Sequence, residues 1–296
     1  MVRAALNARR ARGAALVTAM LVAALAAAVV ATLAATQTRW LRSVELRRDQ
    51  VQAQAIVLAA LAWAREAVRR NPGSADVDHL GEPWALPLPP TPLEHGFVEG
   101  AIVDAQGRVN LNNVADDGAL GEATRAAVGR LFARAGLPES ALPALVAALR
   151  NGVPQDATPG ATGFFVRTAE AAVVPGIDAA RLAGLAPMLT ALPTATRVNV
   201  NTAPPEVLAL VARGLEGDAL AALVADRARK PFGSVGEFRS RLPSGASAPD
   251  DALLAVRSEY FLVTVRARQG EAIAQGRALL RRRGEGAPGV IWQTIE

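Results

Sequence analysis

The longest uninterrupted apolar pattern lies near the start of the chain. Residues 14–38 read AALVTAMLVAALAAAVVATLAATQT, twenty-five positions without a formal charge. At ~1.5 Å per residue a helix of that length covers roughly 37 Å, enough for a hydrocarbon core of about 30 Å. The pattern then changes from uniformly apolar to one-sided. Ala53, Ile56, Val57, Ala60, Leu61, Ala64 and Val68 recur at steps of three and four, which predicts a single apolar face on a helix. Arg47, Arg48, Arg65 and Arg69 fall largely elsewhere, and no Gly or Pro interrupts residues 39–70 before Asn71-Pro72. The expectation is one helix of more than fifty residues, its first half membrane-spanning and its second half packed on other structure.

Beyond Pro72 the periodicity shortens. Segment 82–93, EPWALPLPPTPL, is proline-rich and predicts extended chain. In GFVEGAIVDAQGRVNLNNV, residues 96–114, two β-type runs flank a turn at Asp104-Ala105-Gln106-Gly107. Near the end, EYFLVTVRARQG, EAIAQGRALLRRR and GVIWQTI predict three successive strands with glycine at the turns. Residues 115–243 between these β regions are mostly helical in pattern. The order helix, β, helical block, β predicts an α+β chain in which a helical unit is inserted into a sheet domain.

Charge alters the picture in one place. Arg3, Arg9, Arg10 and Arg12 lie in residues 1–13, which contain no acid; the rest of the chain carries 28 basic against 27 acidic residues. A body so near neutrality is no electrostatic footprint for nucleic acid, and the basic cluster before the apolar run is expected to stay cytoplasmic. With no cysteine, disulfides, zinc–thiolate sites and cysteine nucleophiles are excluded. Three readings of the N-terminus compete: a secretory signal cut near Ala34-Ala35, an uncleaved signal anchor, and a leader cut at Gly13. The third is preferred. Gly13 separates the charged cluster from the apolar run, so cleavage there keeps the hydrophobic helix and makes Ala14 the first residue. This start is similar to the substrates of prepilin peptidase.

With that start, DAQGRVNLNN (104–113), RVNVNTAPPEVLALV (197–211), PFGSVGEF (231–238) and SEYFLV (258–263) resemble, in the right order and over nearly the whole chain, the type II secretion system protein K family, the large minor pseudopilins. The resemblance implies a pilin-like fold, a long N-terminal helix on an antiparallel sheet, with a large, mainly α-helical insertion like SAM or helix-hairpin-helix modules. The expected divisions are a prepilin leader (1–13), a transmembrane half-helix (14–38), an amphipathic helix with the first part of the sheet (39–114), the insertion (115–243) and the completion of the sheet (244–296). The implied role is to initiate and cap the tip of a periplasmic pseudopilus that exports folded proteins, with no enzymatic activity. The implied partners are minor pseudopilins I and J, prepilin peptidase and the inner membrane, with the body periplasmic. N-methylation of Ala14 would follow cleavage.

Particular residues sharpen this expectation. Position five after Gly13 is Thr18, where most pilins place Glu. A carboxylate in a bilayer persists only when paired, and in resembling pilins a neighbouring subunit's terminal amine pairs it. A subunit with Thr there needs no such neighbour, which suits a tip position. The family motif residues Asn110, Leu111, Asn112 and Asn113 predict a strand exit whose side chains bond backbone. Asn199 and Asn201 predict the same for their loop, with Thr202 as a helix N-cap. The family often carries an acidic segment with a Trp in the insertion and a possible calcium site. Residues 144–157 here have neither, and Asp156 alone is no site for an ion that takes six to eight oxygens; no other cofactor is expected. His79 and His95 predict turn or surface positions, and Gly284, Gly286 and Gly289 form a G-x-G-x-x-G with no helix to follow. The alternative reading is a membrane-tethered helix-hairpin-helix DNA-binding protein of competence type. It rests on the glycine hairpin at 214–218 and its weaker echo at 174–185. Glu216, Asp218 and Asp178 place negative charge where phosphate would sit, which weakens it.

Overall fold

The computed structural model describes residues 2–69, 77–151, 164–247, 251–284 and 286–296, with side chains from Thr18 onward. Helix α1 (Val2–Arg69) is continuous, as the unbroken helical composition of 39–70 dictates. From Thr18 to Arg48 every side chain is exposed. Burial begins at the one-sided stretch: Ala53, Val57, Leu61, Ala64 and Val68 are all at most 4 % exposed, with Ile56 and Ala60 flanking them half-buried.

That face lies on a five-stranded antiparallel sheet formed by β1 (Leu88–Leu93), β2 (Gly96–Asp104), β7 (Tyr260–Gln269), β8 (Ala272–Arg281) and β9 (Gly289–Ile295), in the order β1-β2-β7-β8-β9. Alternation places Phe261, Val263, Val265 and Ala267 of β7 toward α1, with Ala274, Ala278 and Leu280 of β8, as the period of two requires. Gly276 lets helix and sheet meet closely: a Cβ there would stand 2.2 Å from Val57 Cγ1. Gly270 closes the β7–β8 hairpin at φ 54°, a conformation that favours glycine. The segment read as extended is only partly so. Pro83–Ala85 form a helical turn that buries Trp84 edge-on against Phe261, ring centroids 5.0 Å apart. Only Leu88–Leu93 runs as an edge strand, where its prolines cost no ladder bonds.

The chain leaves the sheet after Asp104 and returns at Tyr260, and Asp104 pairs with Phe261 in the β2–β7 ladder. The excursion thus occupies the place of a hairpin turn. It holds β3 (Val109–Asn110), α2 (Ala119–Arg134), α3 (Ala141–Asn151), α4 (Ala179–Leu185), β4 (Leu189–Thr190), β5 (Val198–Asn199), α5 (Pro205–Val211), α6 (Gly217–Arg229), α7 (Val235–Ser240) and β6 (Leu254–Ala255). Two short parallel ladders, β3 with β4 and β5 with β6, fasten its ends. Val109 and Asn110 therefore do not extend the main sheet, as their β-type sequence had implied, but belong to the inserted unit. A single apolar core runs through that unit from Val109 to Leu254, including Leu131, Leu145, Phe165, Leu208, Phe232 and Phe238.

Candidate functional site

Where the inserted unit meets the sheet, polar side chains are buried together. Asp104, at the end of β2, is 3 % exposed. Its Oδ2 accepts from Asn199 Nδ2 at 3.0 Å, Thr202 Oγ1 at 2.5 Å and Ser258 Oγ at 2.6 Å, while Oδ1 accepts from the Gln106 N–H at 2.7 Å. Beside it, Arg282 Nη2 donates to both oxygens of Asp78 at 2.6 Å and to the Ser258 carbonyl at 2.8 Å. The Ser258 N–H donates to Asp78 Oδ2 at 2.7 Å. Gln106 Oε1 accepts from the N–H groups of Glu259 and Tyr260 at 2.7 and 3.2 Å. Burial pushes the Asp104 carboxyl up to about 6, with nearby Asp78 adding to the rise, against the pull of the Ser258 and Thr202 hydroxyls and the Gln106 N–H. Every named group ties the segments before β1, after β2, before β7 and after β8 to one point, so the cluster is a joint.

The asparagine motifs brace the unit on either side. Asn110 is buried and donates through Nδ2 to the Thr194 carbonyl at 3.0 Å and Thr196 Oγ1 at 3.1 Å, and its Oδ1 accepts from Leu192 N at 3.0 Å. Asn112 Nδ2 donates to the carbonyls of Phe165 and Leu192, and Asn113 Nδ2 to that of Thr196. Leu111 is fully buried beside them. Asn201 exchanges a pair of hydrogen bonds with the Phe232 backbone, at 2.9 and 2.8 Å. These side chains hold loops. Thr202 does not act as an N-cap: Pro204 occupies that position for α5, because the Thr202 hydroxyl is drawn down to Asp104. Sequence reasoning missed Asp78, Ser258, Arg282 and Arg227. The Arg227 guanidinium, buried and lowered by that burial, donates to the carbonyls of Val200 and Ala203. A charged residue on the otherwise apolar side of α6 was the available signal for Arg227.

The remaining sequence candidates are dispersed. Gly13 and Ala14 lie within α1, and Thr18 is exposed on it. His79 accepts from the Gly81 N–H through Nδ1 in a turn, and His95 sits exposed at the β1–β2 turn beside Glu94. The glycine hairpin joins α5 and α6, with Gly214 and Gly217 at positive φ. Glu216 and Asp218 stand at the α6 start, and Asp178 caps α4 by accepting from Arg181 N at 2.9 Å. An acidic residue therefore stands beside the helix start in both hairpins. Asp156 lies outside the described residues. Among the described ones no group of three or more acidic or histidine side chains converges.

Comparison with known proteins bears on the whole arrangement. The family described as "Type II secretion system (T2SS), protein K" matches residues 107–194 and 198–257, together half of the chain. The type II secretion system protein K of Klebsiella pneumoniae is 28% identical over 93% of this chain and 94% of that protein. Its counterpart in Pseudomonas aeruginosa is 28% identical over 86% and 84%, and that of Pectobacterium carotovorum subsp. carotovorum 26% over 93% and 94%. A solved chain from the GspK-GspI-GspJ complex of the enterotoxigenic Escherichia coli type 2 secretion system superposes with a TM-score of 0.66. It is 22% identical, and the match covers 88% of this chain and 99% of that one. The likeness identifies the architecture as pilin-like, with a helical insertion.

Proposed function

Because the chain belongs to the type II secretion system protein K family, the minor pseudopilins of that machinery, we propose that it starts and caps the pseudopilus tip. The observation that carries the reading is topological: the insertion replaces the turn between two hydrogen-bonded strands, Asp104 of β2 and Phe261 of β7. A unit leaving and returning through one hairpin end protrudes from that end. At about 150 residues its radius is near 15 Å, too bulky for a position with another subunit stacked above it. The partners on the open side are minor pseudopilins I and J, in keeping with the solved complex of that family. They would be reached through α1 and the sheet.

The apolar first half of α1, long enough to span a bilayer, is the membrane anchor in this reading. It sits in the inner membrane with the globular body in the periplasm. Prepilin peptidase cuts between Gly13 and Ala14, Ala14 is methylated, and Thr18 leaves no buried carboxylate needing a subunit above. The chain then divides into leader, anchor, amphipathic helix with sheet, and cap. Its work is assembly, and no catalytic step is assigned to it.

The test removes residues 105–259 and joins Asp104 to Tyr260 by a short Asn-Gly turn, the two-residue connection suited to a hairpin. Retained binding to subunits I and J with longer pseudopili supports the cap. Loss of that binding while the sheet remains folded by circular dichroism makes the insertion a contact surface and rejects it. Mass spectrometry of the mature N-terminus checks processing separately: Gly13→Leu is expected to leave the leader attached, and a cut near Ala35 in the unaltered chain would rule the assignment out.

A further inference from the structure

A cleft of about 580 Å³ opens above the joint, between the 195–197 loop, the 255–259 segment and the end of β8. Five arginines line it: Arg197, Arg257, Arg281, Arg282 and Arg283. Two are engaged. Arg282 is held by Asp78 below, and Arg281 donates to Glu259 at 2.9 Å while lying over the Tyr260 ring. Arg197, Arg257 and Arg283 are exposed and form no ion pair among the described residues. Among the described residues Glu259 is the only acid on the wall, and it is paired with Arg281.

Three arginines with no ion pair among the described residues line one concave site, and on a body this close to neutrality they are not part of a general basic surface. A cleft with low-dielectric walls concentrates their field. Guanidinium forks match carboxylates bidentately. We propose that this cleft binds an acidic segment of a protein partner. The proposal goes beyond the assembly reading and uses α1 only as a ruler. Arg65 Nε donates to the Pro288 carbonyl at 3.1 Å, which sets the β8–β9 loop level with Arg65. That point lies twenty-seven residues, roughly 40 Å, along the helix from Thr38 at the end of the apolar run. A lipid headgroup does not reach it. Among the described residues no aromatic side chain lines the cleft to stack a base, so nucleic acid is a poor occupant, whereas an extended run of Glu or Asp fits its charge.

The test uses the full chain in detergent and a fluorescein-labelled octaglutamate peptide followed by anisotropy. Salt-sensitive binding is expected, weakened at least tenfold when Arg197, Arg257 and Arg283 are all changed to Gln. The same change at Arg134, Arg229 and Arg268, exposed elsewhere, should shift it less than twofold. No binding, or equal loss in both triple variants, overturns the proposal. An oligothymidylate of equal charge binding as tightly through the same three arginines also overturns it in favour of nucleic acid. Phenylglyoxal labelling of the unaltered chain gives a readout independent of variant folding. Protection of Arg197, Arg257 and Arg283 by the peptide, beyond that of Arg134, Arg229 and Arg268, supports the cleft, and uniform or absent protection rejects it.

Discussion

The face of α1 that meets the sheet and the interior of the insertion bury the same kinds of side chain on different plans. On α1 the buried face is one row, Ala53 to Val68, and below it Met20, Leu21, Val22, Leu25, Val29, Val30 and Leu33 stand 51–67 % exposed. The insertion closes its apolar side chains around a core of its own, with Leu131, Leu145, Val207 and Leu208 at 1 % or less. One region is complete in itself; the other is complete only where it touches the sheet. An apolar helix surface of this extent needs a bilayer or a companion helix to cover it. The two regions share the polar joint, so their independence is decided there.

The strongest test acts on the joint. Arg282→Met leaves Asp78 buried without its ion-pair partner, and breaking a buried pair typically costs about 3–5 kcal/mol. Urea unfolding of the unaltered chain is expected to show sheet and insertion melting together, and the variant to show two transitions. A single transition merely displaced to lower urea would mean that the apolar contacts, rather than the joint, couple the regions.

Within the insertion, Leu145→Ala on α3 empties a fully buried site and is expected to destabilise that unit on the order of 3 kcal/mol, leaving the α1–sheet contact intact to limited proteolysis. On the other side, Gly276→Leu forces a side chain into Val57, where even a Cβ stands 2.2 Å from Cγ1. Overpacking of this kind costs about 1–3 kcal/mol. It should lift residues 53–68 from the sheet, seen as new protease cuts there, while the insertion remains folded. If Gly276→Leu also opened the insertion, the picture of two separately built regions would fail.

Much of this division can be read along the chain because it rests on local period. The steps of three and four at Ala53, Val57, Leu61 and Val68 and the alternation in YFLVTVRARQ are properties of neighbouring residues, so α1, β7, β8 and β9 are legible. The two-residue ladders are not: Val109–Asn110 looks like the end of a strand, and its partner Leu189–Thr190 is about eighty residues away. The joint is least legible of all. Asp78, Asp104, Ser258 and Arg282 are each ordinary polar residues in sequence, and only the return of β7 beside β2 brings them together. Thr202 shows the competition directly. Its position before two prolines predicts a cap, and a buried carboxylate nearby outbids the helix terminus for its hydroxyl.

The smallest expected effect, and the most specific to the joint, is a dependence on pH carried by Asp104. Its carboxyl stands at about 6 in the folded chain against an ordinary value of 3.8, burial being the largest cause. The folded state thus holds this proton where the unfolded chain has released it. The resulting stabilisation is complete below about pH 3.8 and is lost as pH rises through 6. Between pH 7 and pH 5 the group should add about 1 kcal/mol, modest because only part of the titration falls in that interval. Asp104→Asn removes the titrating proton but retains the bond from the Gln106 N–H, so its stability should lack this gain on acidification, even though the amide fits Asn199 Nδ2 less well and lowers stability at every pH. The quantity to measure is the difference in urea midpoint between pH 5 and pH 7 for the two proteins, since other carboxylates titrate alike in both. Equal differences would mean that Asp104 is ionised throughout, its charge met by the three donors on Oδ2 and by Arg282 behind Ser258. The coupling of sheet and insertion would then be indifferent to acid.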